Sequence, residues 1–232
     1  MLGATMSDRR AAVCISGHLR CVQAGIEAFK RRIVVSNSGY EFDYFVDTWD
    51  EGDWRAKTDG QIAMHSSPLA SGIIDVVMQE LRPKALRIER PRSWDVSRFQ
   101  RYVQQGYVKK NTQGEHIPAM FSKIAGCDAM MRGHEATAGF VYDVVMRWRT
   151  DIELTDDVVF DQLLDEASQD VVFVPKFTQD GTGDWAPDVF ALSSSSNMAV
   201  YSRIHAALDA RVQGCGKFRP EPLLGYHLRC EG

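Results

Sequence analysis

The chain has 232 residues, 44% of them hydrophobic and 25% charged, with a formal net charge of −4, which suits one globular domain with a sizeable core. That balance offers no basic stripe for nucleic acid. The nearest candidate, Arg82, Lys84, Arg87, Arg90 and Arg92, alternates with apolar residues and proline and reads as a solvated strand edge. No run approaches the roughly 18 apolar residues of a membrane span, and MLGATMSDRR has no apolar stretch behind its charges, so no signal peptide is expected.

Residues 1–10 read as a weakly ordered lead-in, with Met6 an alternative start, and 11–232 as a single domain. The five cysteines, odd in number and without a CxxC pair, argue against disulfides and zinc and for a reducing, cytoplasmic setting.

In chain order, 11–16 (AAVCIS) reads as a buried strand ending at Ser16-Gly17, followed by a helix over about 19–35 with Leu19, Val22, Ile26, Phe29 and Ile33 on one face. A second strand at 40–47 ends in Asp47-Thr48-Trp49. The polar stretch 50–71 reads as a long functional or mobile loop. A helix is expected at 72–81, a strand at 84–89, helices at 95–106 and 119–138, and the clearest strand at 142–149. Strands at 171–174 and 188–192 and helices near 197–211 and 221–228 complete the pattern. Strands alternating with helices predict an α/β layer fold, with ligands beyond the strand carboxyl ends, just after residues 16, 47, 150 and 187.

The segment DVVMRWRTDIEL (143–154) carries most information. With period two, Val144, Met146, Trp148, Ile152 and Leu154 fall on one face and Arg147, Arg149, Asp151 and Glu153 on the other. Buried charges must be paired or bind an ion. The arginines and acids could neutralise one another, or Asp151 and Glu153 could share one hard cation, Mg²⁺ or Mn²⁺, against a diphosphate. A surface acidic loop is the competing reading.

YDVVMRWRTDIEL is similar to the strand-plus-acid motif of small nucleotide-sugar glycosyltransferases with the GT-A fold, of the kind found in polysaccharide loci and in some large algal viruses. AVCISGHLR, DVFALSSSSNMAVY and PEPLLGYHL resemble further blocks of that family in the same order, so the likeness spans about residues 11–229. It implies a GT-A-like (Rossmann-like) domain with a mostly parallel sheet flanked by helices, in which 11–118 would mainly bind nucleotide and 119–232 metal and acceptor. It also implies transfer of a hexose-like sugar from a UDP- or GDP-sugar donor to a glycan or other hydroxyl acceptor, in polysaccharide biosynthesis, with Mn²⁺ or Mg²⁺ as cofactor.

The resemblance places Asp151 as the metal acid and Glu153 where many relatives have a second Asp, a departure that puts the coordination in doubt. His227 would complete the metal shell, or be structural. Ser16, Gly17 and Arg20 would hold the nucleotide phosphates after the first strand, the alternative being a tight turn with a solvated arginine. Asp47 and Trp49 would serve ribose and base, or be a capping acid and a core indole. Arg149 would join the donor-binding set. Asp188, then Glu221, then Asp184 are the candidates for the general base of an inverting reaction, each also readable as a capping or loop acid. Lys123 would reach the pyrophosphate or face solvent. Ser193–Ser196 reads as a helix cap, because no GxSxG elbow precedes it. A non-catalytic nucleotide- or glycan-binding domain and another nucleotide-using α/β transferase are the alternatives, the latter without a P-loop or GxGxxG. Oligomeric state and stereochemical outcome stay open.

Overall fold

The computed structural model describes residues 9–58, 61–102, 114–165, 170–176 and 185–231, with the backbone alone over 53–58 and 61–66 and at 165. The lead-in 1–8, Asp184 and residues 103–106 of the expected third helix lie outside the described residues.

The expected α/β layering is present. Five strands form one sheet in the order β5-β2-β1-β6-β7: β5 Ala85–Glu89, β2 Glu41–Trp49, β1 Arg10–Ser16, β6 Val144–Trp148 and β7 Phe190–Ser193. The first four are mutually parallel and β7 pairs antiparallel to β6. Strand alternation splits the core in two. Ala12, Cys14, Phe45, Val145 and Ala191 face one helical layer, α3 (His116–Ala138), α5 (Ser195–Ser202), α6 (Ile204–Cys215) and α7 (Pro220–Glu231). Val13, Ile15, Val46, Met146 and Trp148 face the other, where α1 (Val22–Phe29) and α2 (Ile73–Leu81) pack with the short α4 (Phe160–Asp165). A sheet buried on both faces explains the near-continuous apolar runs of its strands.

Several expectations change. The helix after β1 continues beyond α1 as a π segment, Lys30–Val34, and a 3₁₀ turn, Val35–Asn37. The stretch read as a polar loop forms an antiparallel hairpin, β3 (Glu51–Thr58) with β4 (Gln61–Pro68). Its polar content hid the period-two pattern, although the Asp59-Gly60 dipeptide between the strands is a hairpin signal. Of the helix expected at 95–106, the described part is a 3₁₀ turn, Ser97–Tyr102. The strand at 171–174 reduces to one bridge, Phe173 to Leu192, and the helix near 197–211 is two, broken at Arg203. Ser194 caps α5 through its side chain, accepting from the Asn197 backbone N–H, as expected of the serine run.

From β1 the chain runs outward through β2 to β5. Then α3, packed against β1 and β2, carries it back to β6 on the other side of β1. The strand order therefore reverses between β1 and β6, the place where open α/β sheets bind ligands. Gly25 of α1 faces this point: a Cβ there would overlap the carbonyl of Thr150, the second residue past β6. The absent side chain lets the helix lie directly on the chain leaving the sheet. Gly25→Ala should therefore destabilise the fold by about 1–3 kcal/mol despite alanine's better helix propensity, read as a lower urea midpoint at unchanged m-value.

Candidate functional site

Four of the five strands end near one crevice, and their last residues place a set of charged side chains there. The turn after β1 is built by Gly17, whose φ of 99° suits glycine and whose N–H donates to the Asp47 carbonyl at 3.0 Å. Cys21 follows at φ 49°, a costly setting for a residue with a Cβ. His18, inside the turn, donates from Nδ1 to the Glu51 carbonyl at 3.0 Å and so ties the turn to the base of the hairpin.

Arg147, on the buried β6, is 2% exposed. Its Nε donates to the Asp188 carbonyl at 2.7 Å, and Nη1 donates to the hydroxyl of Ser16. Ser16 is thus a partner of a buried cation and not a phosphate contact. Arg149, two residues on, points the same way, as alternation requires. Its Nε and Nη2 hold the two oxygens of Asp151 at 2.9 and 2.7 Å, and Nη1 reaches Asp188 Oδ2 at 3.3 Å. Arg20 closes on Asp151 from the β1 turn, Nη1 to Oδ2 at 3.1 Å. Thr150 holds the two segments in register: its Oγ1 donates to the Arg20 carbonyl and accepts from the Arg20 N–H at 3.3 Å. Burial pulls the Asp151 carboxyl upward, but the hydrogen bonds and charges of Arg149, then Arg20, outweigh it and take it down to about 2.

A second network lies one strand over. Asp47, fully buried, receives Lys123 Nζ at 2.7 Å and both Nε, at 3.1 Å, and Nη2 of Arg87. Lys123, 1% exposed, also donates to Glu89 at 2.7 Å and to the Thr48 carbonyl at 3.0 Å, and its ammonium sits 3.9 Å from the centre of the Trp49 ring. The hydrogen bond from Lys123, opposed by burial, lowers the Glu89 carboxyl. Gly126, on the same helix, makes room: a Cβ there would strike Arg87 and Asp47.

These positions correct several expectations. Asp47 is saturated by cations and is not offered to a ribose. Trp49, 5% exposed with an ammonium over one face, is not offered to a base. Lys123 neither faces solvent nor extends toward a phosphate, whereas Arg87 lies on the edge strand β5 with a side chain 41% exposed, as the solvated-edge reading expects, and is also a counter-ion to Asp47. His227 is fully buried among α5, α6 and α7, where Nδ1 accepts from Arg211 Nε at 3.0 Å and Nε2 donates to the Val200 carbonyl at 2.8 Å. Burial pushes its imidazole below the usual range. Glu153 is exposed in the loop past Asp151.

The expected metal shell of Asp151, Glu153 and His227 is therefore not assembled. Both Asp151 oxygens meet guanidinium groups, both His227 nitrogens are engaged, and no group of three metal-ligating side chains occurs among the described residues. The donor set does not fit Mn²⁺ or Mg²⁺. Asp188, 7% exposed, is counter-ion to Arg149 and, at 3.9 Å, to Arg147. Glu221 is partly exposed in the first turn of α7, whose carbonyl at Glu221 accepts from the Ala186 N–H at 3.2 Å, two residues before Asp188.

Beyond the ends of β2 and β5, at the base of the hairpin, a cavity of about 430 Å³ is lined by Asp50, Glu51, Ser67, Pro68, Arg90 and Pro91. All five cysteines are free thiols. No helix among the described residues is long and apolar enough to cross a membrane. No protein-family model matches the chain, and no curated protein matches it.

Residues that sequence reasoning missed are Thr150, His18, Arg87, Gly25 and Gly126. The alternation around 147–151 could have flagged Thr150 as the residue between two same-facing charges; the others have no local signal.

Two outcomes follow from this geometry. Lys123→Met should cost about 3–5 kcal/mol, because it leaves Asp47 buried with one cation fewer, measured by urea unfolding. The depressed Asp151 carboxyl contributes stability that is present above the ordinary carboxyl range and is lost as pH falls toward about 2. Wild type should accordingly exceed Asp151→Asn in stability at pH 6 by about 2 kcal/mol, with the gap closing between pH 4 and 2 in parallel denaturation curves.

Proposed function

We propose that the chain is a GT-A-type glycosyltransferase, moving a sugar from a nucleotide-diphosphate donor of the UDP- or GDP-sugar class to a glycan or other hydroxyl acceptor. The observation that carries this reading is the cluster of Arg20, Arg147, Arg149, Asp151 and Asp188 at the strand-order reversal between β1 and β6. Such a reversal is where nucleotides bind in open α/β sheets, and guanidinium groups aimed there would stabilise the diphosphate as it leaves with the bonding electrons of the sugar C–O bond. The cavity at the base of the hairpin, at the same end of the sheet, is about 430 Å³ and of ligand size.

In this reading the acceptor oxygen attacks the anomeric carbon, the bond to the β-phosphate oxygen breaks, and the acceptor proton passes to a carboxylate. Glu221 takes that role in preference to Asp188. It has no ion-pair partner among the described residues, whereas the Asp188 carboxylate is already engaged as counter-ion to Arg149 and Arg147. Asp188 keeps the guanidinium groups aligned.

Wild type incubated with UDP- and GDP-sugars and a mixed glycan acceptor should release nucleotide diphosphate. Glu221→Gln should cut kcat by about 10²–10⁴ while the donor-induced rise in Tm stays that of wild type. Donor binding without turnover in wild type would instead assign a non-catalytic nucleotide-sugar binder.

A further inference from the structure

Asp151 sits in the Arg149–Arg20 fork much as a phosphate oxyanion would, with two parallel N–H···O bonds from one guanidinium and a third from the other. Carboxylate and phosphate offer matching bidentate acceptors to arginine. The side chains of Arg20, Arg149 and Asp151 are 25%, 24% and 19% exposed, so solvent and ligands reach them. Arg147, with a side chain 3% exposed, stands behind them as a fixed charge. Asp188 holds Nη1 of Arg149 and would keep that guanidinium aimed if Asp151 moved away. The group carries three positive and two negative charges, a net of +1 that becomes +2 without Asp151 in the fork.

From this geometry we infer that the Arg20–Arg149 fork is a pyrophosphate seat, occupied by Asp151 in the free protein and filled by the donor diphosphate without a bridging divalent cation. The inference rests on the phosphate-binding part of the proposed function and names what grips the phosphates. Asp151 is then a competing internal anion, displaced when ligand binds. Two adjoining guanidinium groups would repel a divalent cation at the Asp151 oxygens, in keeping with the unassembled metal shell.

The two possible roles of Asp151 predict opposite signs. If it held a metal, Asp151→Asn would abolish phosphate binding. If it is the displaced anion, the same change frees the fork and strengthens binding. The test is calorimetric titration of the whole chain with inorganic pyrophosphate, in EDTA and again with Mn²⁺, each variant first checked as folded by circular dichroism. Wild type is expected to bind equally, within about twofold, in EDTA and in Mn²⁺. Asp151→Asn should bind roughly three- to tenfold more tightly, and Arg149→Lys on the order of tenfold more weakly, having lost the fork. Should Asp151→Asn not fold, wild type in EDTA and Arg149→Lys still decide the matter.

Binding that requires Mn²⁺, loss of binding in folded Asp151→Asn, wild-type affinity in Arg149→Lys, or no binding by wild type would each overturn the inference. Pyrophosphate bound as expected with no sugar turned over leaves the seat standing and removes the transferase. Turnover with pyrophosphate binding that depends on Mn²⁺ does the reverse.

Discussion

A guanidinium buried to 2% exposure at the carboxyl end of a central strand is the constraint to which the rest of the crevice answers. Leaving the Arg147 cation unsatisfied would cost several kcal/mol. The hydroxyl of Ser16 on one flank and the carbonyl of Asp188 on the other meet it, and each is held by its own element. Through these bonds the end of β1, the end of β6 and the segment entering β7 are fixed as one unit. Arg149 shares the direction of Arg147 because it lies two residues further along the strand direction, and the turn at Thr150 and Asp151 folds the Asp151 carboxylate back onto Arg149. The clamp at the surface is thus an extension of the charge beneath it.

The neighbouring network works on the same physics with a different outcome. Asp47, Lys123, Arg87 and Glu89 pair two cations with two anions, and the net charge of the set is zero. A set of this kind, with Asp47 and Lys123 buried and Arg87 and Glu89 at the surface, ties β2, β5 and α3 together. Two glycines make the close approaches possible: Gly25 admits the Thr150 carbonyl against α1, and Gly126 admits the Arg87–Asp47 pair against α3. Both sit inside helices, where glycine lowers intrinsic stability, so each is a local cost offset by the contact it allows.

Much of the architecture was legible beforehand. Apolar runs ending in Ser16, Trp49 and Trp148 mark parallel strands buried on both faces, and the helical spacing of Val22, Ile26 and Phe29 marks the helix between the first two. Alternating charge after Val145 put Arg147 and Arg149 on one side. The hairpin at 51–68 was not legible because its strands are largely polar, and their pairing is not a property of either strand alone. Nor were the roles of Asp47, Lys123 and Arg87. They lie 40 and 76 residues apart along the chain, and propensity has no term for an ion pair closed at that distance.

The sequence by itself determined the layer class, the strands of the main sheet with the helices at 72–81 and 119–138, and the shared facing of Arg147 and Arg149, since these follow from periodicities of two and 3.6 that each segment carries locally. Only the tertiary structure decided which charges neutralise which. That choice took Asp47, Trp49 and His227 out of the expected binding set, brought Arg20 to Asp151, and placed both at the point where the strand order reverses. The reason is electrostatic: the worth of a charge depends on how much water it has lost and on what stands within a few ångströms, and neither is written in a residue's own neighbours along the chain.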